Sequence, residues 1–130
     1  MDVEHPHISG LSEWKPIACG GTAVVWEARQ LSLNRLVAVK VYRRELDERA
    51  RRRFLREAAA AGKLSDHPGI VSVYDAGVLP SDRPYLIMEL CPGGSLTQWL
   101  SPDAQPSEEE VRRIGVRIAD ALAAASLRKR

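Results

Sequence analysis

The chain has 130 residues, 45% apolar and 28% charged, which suits one ordinary globular domain and excludes a disordered or fibrous protein. Nineteen basic against 17 acidic side chains leave a formal charge of +2, too small a surplus for the total field to point to nucleic acid. The two cysteines, Cys19 and Cys91, stand far apart without C-x-x-C spacing, the start Met1-Asp2-Val3-Glu4-His5 is polar and acidic, and no apolar run reaches the roughly 18 to 20 residues of a membrane span. A cytoplasmic chain without disulfide, structural zinc or membrane partner is the expectation.

In chain order, residues 1–10 read as a flexible N-terminus. A first strand is expected over Trp14 to Ala18 and a second over Val24 to Ala28, which is dense in β-branched and aromatic side chains. Leu33-Asn34-Arg35 turns the chain into a third strand, Leu36 to Tyr42. Arg43 to Leu64 then consists of helix formers, with Phe54, Leu55, Ala58, Ala61 and Gly62 spaced as one buried stripe. After the breaker His67-Pro68-Gly69, Ile70 to Tyr74 reads as a strand, and Tyr85 to Leu90 as its partner across the turn Pro80 to Pro84. The class expected is α+β, a five-stranded, mostly antiparallel sheet with one packed helix.

Cys91-Pro92-Gly93-Gly94 breaks the pattern, so a boundary is placed there between 11–91 and a second region, 92–130. A short helix is expected from Ser95 to Leu100. Ser107 and Glu110 form an S-x-x-E capping box for a longer one, along which Val111, Ile114, Ile118, Ala121, Leu122 and Ala125 fall at helical period. Little chain remains to cover that stripe, so self-association or a protein partner through the 107–125 helix is expected.

Three features could carry chemistry together. The loop Ala18-Cys19-Gly20-Gly21-Thr22-Ala23 is small and contains two glycines, which allow backbone N–H groups to approach phosphates closely. Lys40, on the third strand, can pair with phosphate oxygens, and Glu57 on the helix can hold the ammonium in place. The loop lacks the terminal Gly-Lys-Ser/Thr of a Walker A motif, and it runs into a strand where a Rossmann loop opens a helix, so both of those sites are excluded. Alternation sets Ala38 and Lys40 on one face of the strand and Val37, Val39 and Val41 on the other; Ala38 leaves room for a flat base that Val25 can cover. Each feature also has a plain structural reading: a β-turn, a snorkelling edge lysine and a solvated intrahelical ion pair.

Val37-Ala38-Val39-Lys40, Phe54-Leu55-Arg56-Glu57, His67-Pro68-Gly69-Ile70-Val71 and Tyr85 to Leu96, in this order, closely resemble the N-terminal lobe of bacterial eukaryotic-like serine/threonine protein kinases. The resemblance implies that 11–91 is the nucleotide-binding small lobe and that 92–130 holds the hinge and first helices of an incomplete large lobe. It implies ATP as ligand, with Ala18 to Val25 as the phosphate loop, Lys40 on the α/β-phosphates and Glu57 as its ion-pair partner. Val25 and Ala38 would enclose the base, Met88 would be the gatekeeper, Glu89 and Cys91 would bond the adenine edge through their backbone, and Ser95 would lie near the ribose. Ala18 and Ala23 stand where the family prefers glycine, and the first substitution stiffens the loop. The family's H-R-D-x-x-x-x-N and D-F-G segments, which supply the base and the magnesium ligands, are not encoded before the chain ends in Ser126-Leu127-Arg128-Lys129-Arg130. Weak ATP binding without phosphate transfer by the isolated chain is therefore expected. The alternatives are a pseudokinase-like regulatory module and a truncated gene product without a role.

The remaining features favour plain roles. Seven arginines between Arg43 and Arg56 are interleaved with Glu45, Asp47 and Glu48 and lack an aromatic platform, so a solvated helix is preferred over a nucleic-acid surface. His5 and His7 have no third ligand, and no metal site is expected there. Cys19 and Cys91 would both lie near the nucleotide but read as small, semi-buried residues.

Overall fold

A computed structural model describes residues 4–64, 66–96, 100 and 106–128. Five strands, β1 (Leu11–Cys19), β2 (Ala23–Gln30), β3 (Arg35–Tyr42), β4 (Val73–Val78) and β5 (Pro84–Glu89), form one antiparallel sheet in the order β1-β2-β3-β5-β4. Helix α1 (Glu48–Gly62) packs mainly on β4, and α2 (Glu108–Arg128) follows the sheet in sequence. The expected α+β architecture is what the chain adopts.

Alternation along the strands builds the core. Val24, Trp26 and Ala28 of β2, Val37, Val39 and Val41 of β3 and Ile87 of β5 are buried on one face, with Leu79 closing the cluster. Ile8, Leu11, Trp14 and Tyr85 pack around it, and the indoles of Trp14 and Trp26 meet edge to face at 6.1 Å. His5 stacks on Trp14 with its ring 5.4 Å away and nearly parallel. Strand β1 is longer than its apolar run suggests because a register shift lets it bend: Glu13 adopts a left-handed backbone (φ 55) and its carboxylate holds Arg29 of β2. Pro16 is tolerated because β1 is an edge strand.

Two later elements start downstream of the sequence expectation. Helix α1 starts at Glu48, not Arg43, because the Asp47 carboxylate accepts from the Ala50 N–H at 2.8 Å and fixes the N-cap. Strand β4 starts at Val73, not Ile70, because Ile70 N–H is drawn into a turn on the His67 carbonyl. Within the α1 stripe Ala58 is buried, whereas Leu55 is 39% exposed and lies at the edge of the contact. The Ser107 hydroxyl accepts from Glu110 N–H at 3.1 Å, as the capping box requires. Of the short helix expected from Ser95 to Leu100, residues 97–99 lie outside the described residues, and Leu100 N–H donates to the Leu96 carbonyl.

Candidate functional site

The face of the sheet opposite the core carries most of the residues singled out above. Residues directly opposite in an antiparallel pair project to the same side. The register aligns Ala18 with Val25, Val25 with Lys40, and Lys40 with Leu86, which makes one row across four strands. A second row joins Glu27, Ala38 and Met88. Ala38 is buried, Val25, Lys40 and Met88 are half-buried, and the strip is apolar except for the lysine and Glu27.

At the open end of the first row the chain turns between β1 and β2. Gly20 N–H donates to the Ala23 carbonyl at 2.9 Å, which closes the tip, and Gly21 and Thr22 are exposed. Arg43, just beyond β3, lies behind this tip. Its backbone N–H donates to the Thr22 carbonyl at 2.9 Å, its Nε to the Gly20 carbonyl at 3.0 Å, and its Nη2 to Cys19 Sγ at 3.0 Å.

Lys40 points along the strip with Nζ 5.1 Å from the centre of the Tyr42 ring, a cation–π contact. Tyr42 in turn meets Phe54 of α1 edge to face at 5.9 Å. Glu57, one turn beyond Phe54, is exposed and lines a cavity of about 400 Å³ with Thr22, Tyr42 and Arg53. The ion pairs among the described residues do not include one between Lys40 and Glu57. Lys40 does not line that cavity, so the structure does not bring the expected pair of strand lysine and helix carboxylate together.

At the other end of β5 the backbone leaves the sheet. Glu89 is tied to Ser72 twice: its N–H donates to the Ser72 carbonyl at 2.8 Å, and its carboxylate accepts from Ser72 N–H at 3.2 Å. Cys91 and Ser95 are exposed on the segment that follows, where Leu90, Leu96 and Ile114 of α2 help to line a cavity of about 450 Å³. Helix α2 touches the sheet domain through His67, whose Nε2 is 3.3 Å from the Asp120 carboxylate while Nδ1 accepts from Gly69 N–H at 2.9 Å. Among the described residues no three His, Cys, Asp or Glu side chains gather as a metal site.

The chain therefore brings Ala18, Val25, Ala38, Lys40 and Met88 together on one face, sets the Cys19 to Ala23 loop at one end and the Glu89, Cys91 and Ser95 segment at the other. Sequence reading alone overlooked Tyr42 and Arg43. Strand alternation already put Tyr42 on the lysine face, but the role of Arg43 needs the β2–β3 register, which no local pattern reveals.

The family model for the protein kinase domain matches residues 11–125. The chain is 41% identical over 117 residues to the serine/threonine-protein kinase PknK of Mycobacterium tuberculosis (strain ATCC 25618 / H37Rv), covering 90% of this chain and 10% of that protein. It is 42% identical over 105 residues to pkn3 of Myxococcus xanthus (79% and 19%) and 38% identical over 109 residues to PrkC of Bacillus subtilis (strain 168) (82% and 16%). It thus spans between a tenth and a fifth of the length of these three relatives. A small-lobe sheet with one packed helix, carrying a strand lysine below a turn of small residues, and a family match over almost the whole chain agree: the chain belongs to the protein kinase domain family.

Proposed function

We propose that this chain forms the ATP-binding lobe of a serine/threonine protein kinase. The observation that carries the proposal is the cross-strand row Ala18, Val25, Lys40 beside the row Ala38, Met88, which gives a flat apolar strip with one cation at the loop end. Val25 and Ala38 would cover the adenine, and the exposed backbone near Cys91 would bond its edge. Lys40 would leave the Tyr42 ring for the α/β-phosphates, a stronger partner for an ammonium than a π-face, and Glu57 would orient it. Serine/threonine specificity is proposed by analogy with the relatives, which are named serine/threonine-protein kinases. Magnesium supplies charge neutralisation at the phosphates in such chemistry; the described residues hold no matching donor cluster.

The 130 residues contain neither an H-R-D nor a D-F-G segment, so nucleotide binding without phosphate transfer is the activity proposed for the chain by itself. One sheet face buries only part of a nucleotide, which points to millimolar affinity, about −4 kcal/mol, against about −8 for a micromolar site. Calorimetric titration with ATP tests this. Saturable millimolar binding that disappears in Lys40→Met is expected; no binding at all, or micromolar binding indifferent to Lys40, overturns the reading. Labelled ATP incubated with magnesium and a generic acceptor protein should leave no label on either protein.

One observation favours a second reading, a partner-binding role for α2. Val116, Ile118, Leu122 and Leu127 are exposed along it, more apolar surface than a monomer usually leaves open. On that reading residues 1–130 self-associate and residues 1–100 do not, as light scattering on the two chains will tell; a monomeric long form beside an aggregating short one would assign α2 to stabilising the sheet instead.

A further inference from the structure

We propose that Arg43 is the positioning residue of the 18–23 loop: a staple on its back that decides which way the loop's peptide N–H groups face. The proposal rests on the nucleotide reading above. Its origin is the β2–β3 register. Ala23 is paired with Tyr42, so the next residue along β3 comes level with Thr22 at the root of the loop. From there the backbone N–H of Arg43 reaches the Thr22 carbonyl, and the guanidinium spans both the Gly20 carbonyl and Cys19 Sγ.

The consequence follows from peptide geometry. A trans peptide is planar, with its C=O and N–H pointing in opposite directions. Holding the Gly20 carbonyl on Arg43 therefore turns the Gly21 N–H away from the arginine, and holding the Thr22 carbonyl does the same for the Ala23 N–H. Those are the donors a phosphate needs, whereas a carbonyl turned outward would repel it. The Gly20-Gly21 peptide is the one most free to flip, because both its residues lack a Cβ. It is also the one that the side chain holds, while the backbone bond to Thr22 would survive any substitution at 43 except proline.

The choice of arginine is physical too. A planar fork can donate from Nε and Nη2 at once to an oxygen and a sulfur on adjacent residues, and a charged donor makes the stronger bond. A lysine has a single ammonium at the end of a flexible stem and would hold one acceptor at a time. Arg43 acts on a bound phosphate only through the loop; it is a positioning residue and not a ligand.

The test separates the staple from the nucleotide reading. In the ligand-free chain, 15N relaxation should give order parameters near 0.85 for Gly20 to Ala23 in the wild type, falling below about 0.6 in Arg43→Met, with Arg43→Lys between them. ATP and inorganic triphosphate should each bind about tenfold more weakly to Arg43→Met, while adenosine, which has no phosphate, binds as to the wild type. A loop that stays ordered in Arg43→Met overturns the staple. So does an equal loss of ATP and adenosine affinity, which would mean general damage to the lobe. A wild type that binds neither ATP nor adenosine defeats the nucleotide reading, and the order parameters then decide the staple alone.

Discussion

Strand β3 and helix α2 are both written with apolar side chains at a regular period, but Val37 and Val39 are fully buried while Ile118 is 46% and Leu122 66% exposed. Period states which side of an element prefers to leave water. It does not supply the surface that will cover it. In the sheet the cover is built by neighbours brought in through hairpins and by the residues around Ile8 and Trp14; along α2 only Ala121 is buried among the described residues. One region is held by its own topology, and the other touches it at a few points.

The sharpest way to break this contrast is to remove apolar volume from each region. Trp26, 3% exposed and packed edge to face on Trp14, should cost about 3 to 5 kcal/mol as Trp26→Ala, through lost burial and the cavity left behind. Leu122→Ser should change stability by no more than about 0.5 kcal/mol, because the side chain is already in water. Urea unfolding followed by circular dichroism measures both. Comparable losses would mean that α2 belongs to the same cooperative unit as the sheet.

A subtler probe uses a glycine in the edge strand β4. Gly77 faces Tyr85 across the pair with β5, and a Cβ there would come within 2.6 Å of the phenol ring carbon Cζ. Gly77→Ala should thus cost about 1 to 3 kcal/mol by overpacking. Gly115→Ala, on α2 with open space around it, should instead gain up to about 1 kcal/mol of helix propensity. The two substitutions are chemically identical, so opposite signs in the unfolding midpoint would isolate the role of surroundings.

How much of this was legible in the sequence depends on whether a feature is local. The core valines of β3, the Ser107 cap and the Lys40 face all follow from alternation or short spacing, and the sheet and packed helix were expected from them. The start of α1 is not legible because four residues of helix-compatible composition, Arg43 to Leu46, precede Asp47, and only the capping bond shows where helical dihedrals begin. The left-handed Glu13, the glycine requirement opposite Tyr85 and the Arg43 contacts each depend on strand register, which joins residues far apart in sequence. For the candidate site, the strip from Ala18 to Met88 could be named in advance, whereas the seating of Lys40 on Tyr42 could not, since it depends on where the ammonium comes to rest in space.

The polar tie between the two regions should matter less than any packing change. Nδ1 of His67 accepts from Gly69 N–H, so Nε2 carries the ring proton and donates toward Asp120. The Asp120 side chain is 76% exposed, and water competes for it. Asp120→Asn should cost under about 1 kcal/mol and leave the His67 to Gly69 turn intact. Chemical shifts of the Gly69 amide would report this; a large displacement there would show that α2, and not the turn, sets the position of His67.

The smallest expected effect is the pH response of Tyr85. Burial raises the phenol above its ordinary pKa, and the nearby Asp75 carboxylate raises it further. The unfolded chain has neither influence and loses the proton at about pH 10. Above that pH the folded state holds more protons than the unfolded one, so the stability contributed by the neutral phenol is complete below about pH 10 and declines as pH rises toward the folded-state value. Other groups titrate in the same range, so the comparison has to be with Tyr85→Phe, which removes this ionisation and keeps the ring. Unfolding measured from pH 8 to 11 should fall more steeply in the wild type than in the variant, and Gly77→Ala, by pushing the ring outward, should bring the wild-type slope toward that of Tyr85→Phe. Parallel slopes in all three would place the phenol in water, away from the edge of β4 that it packs against in the structure.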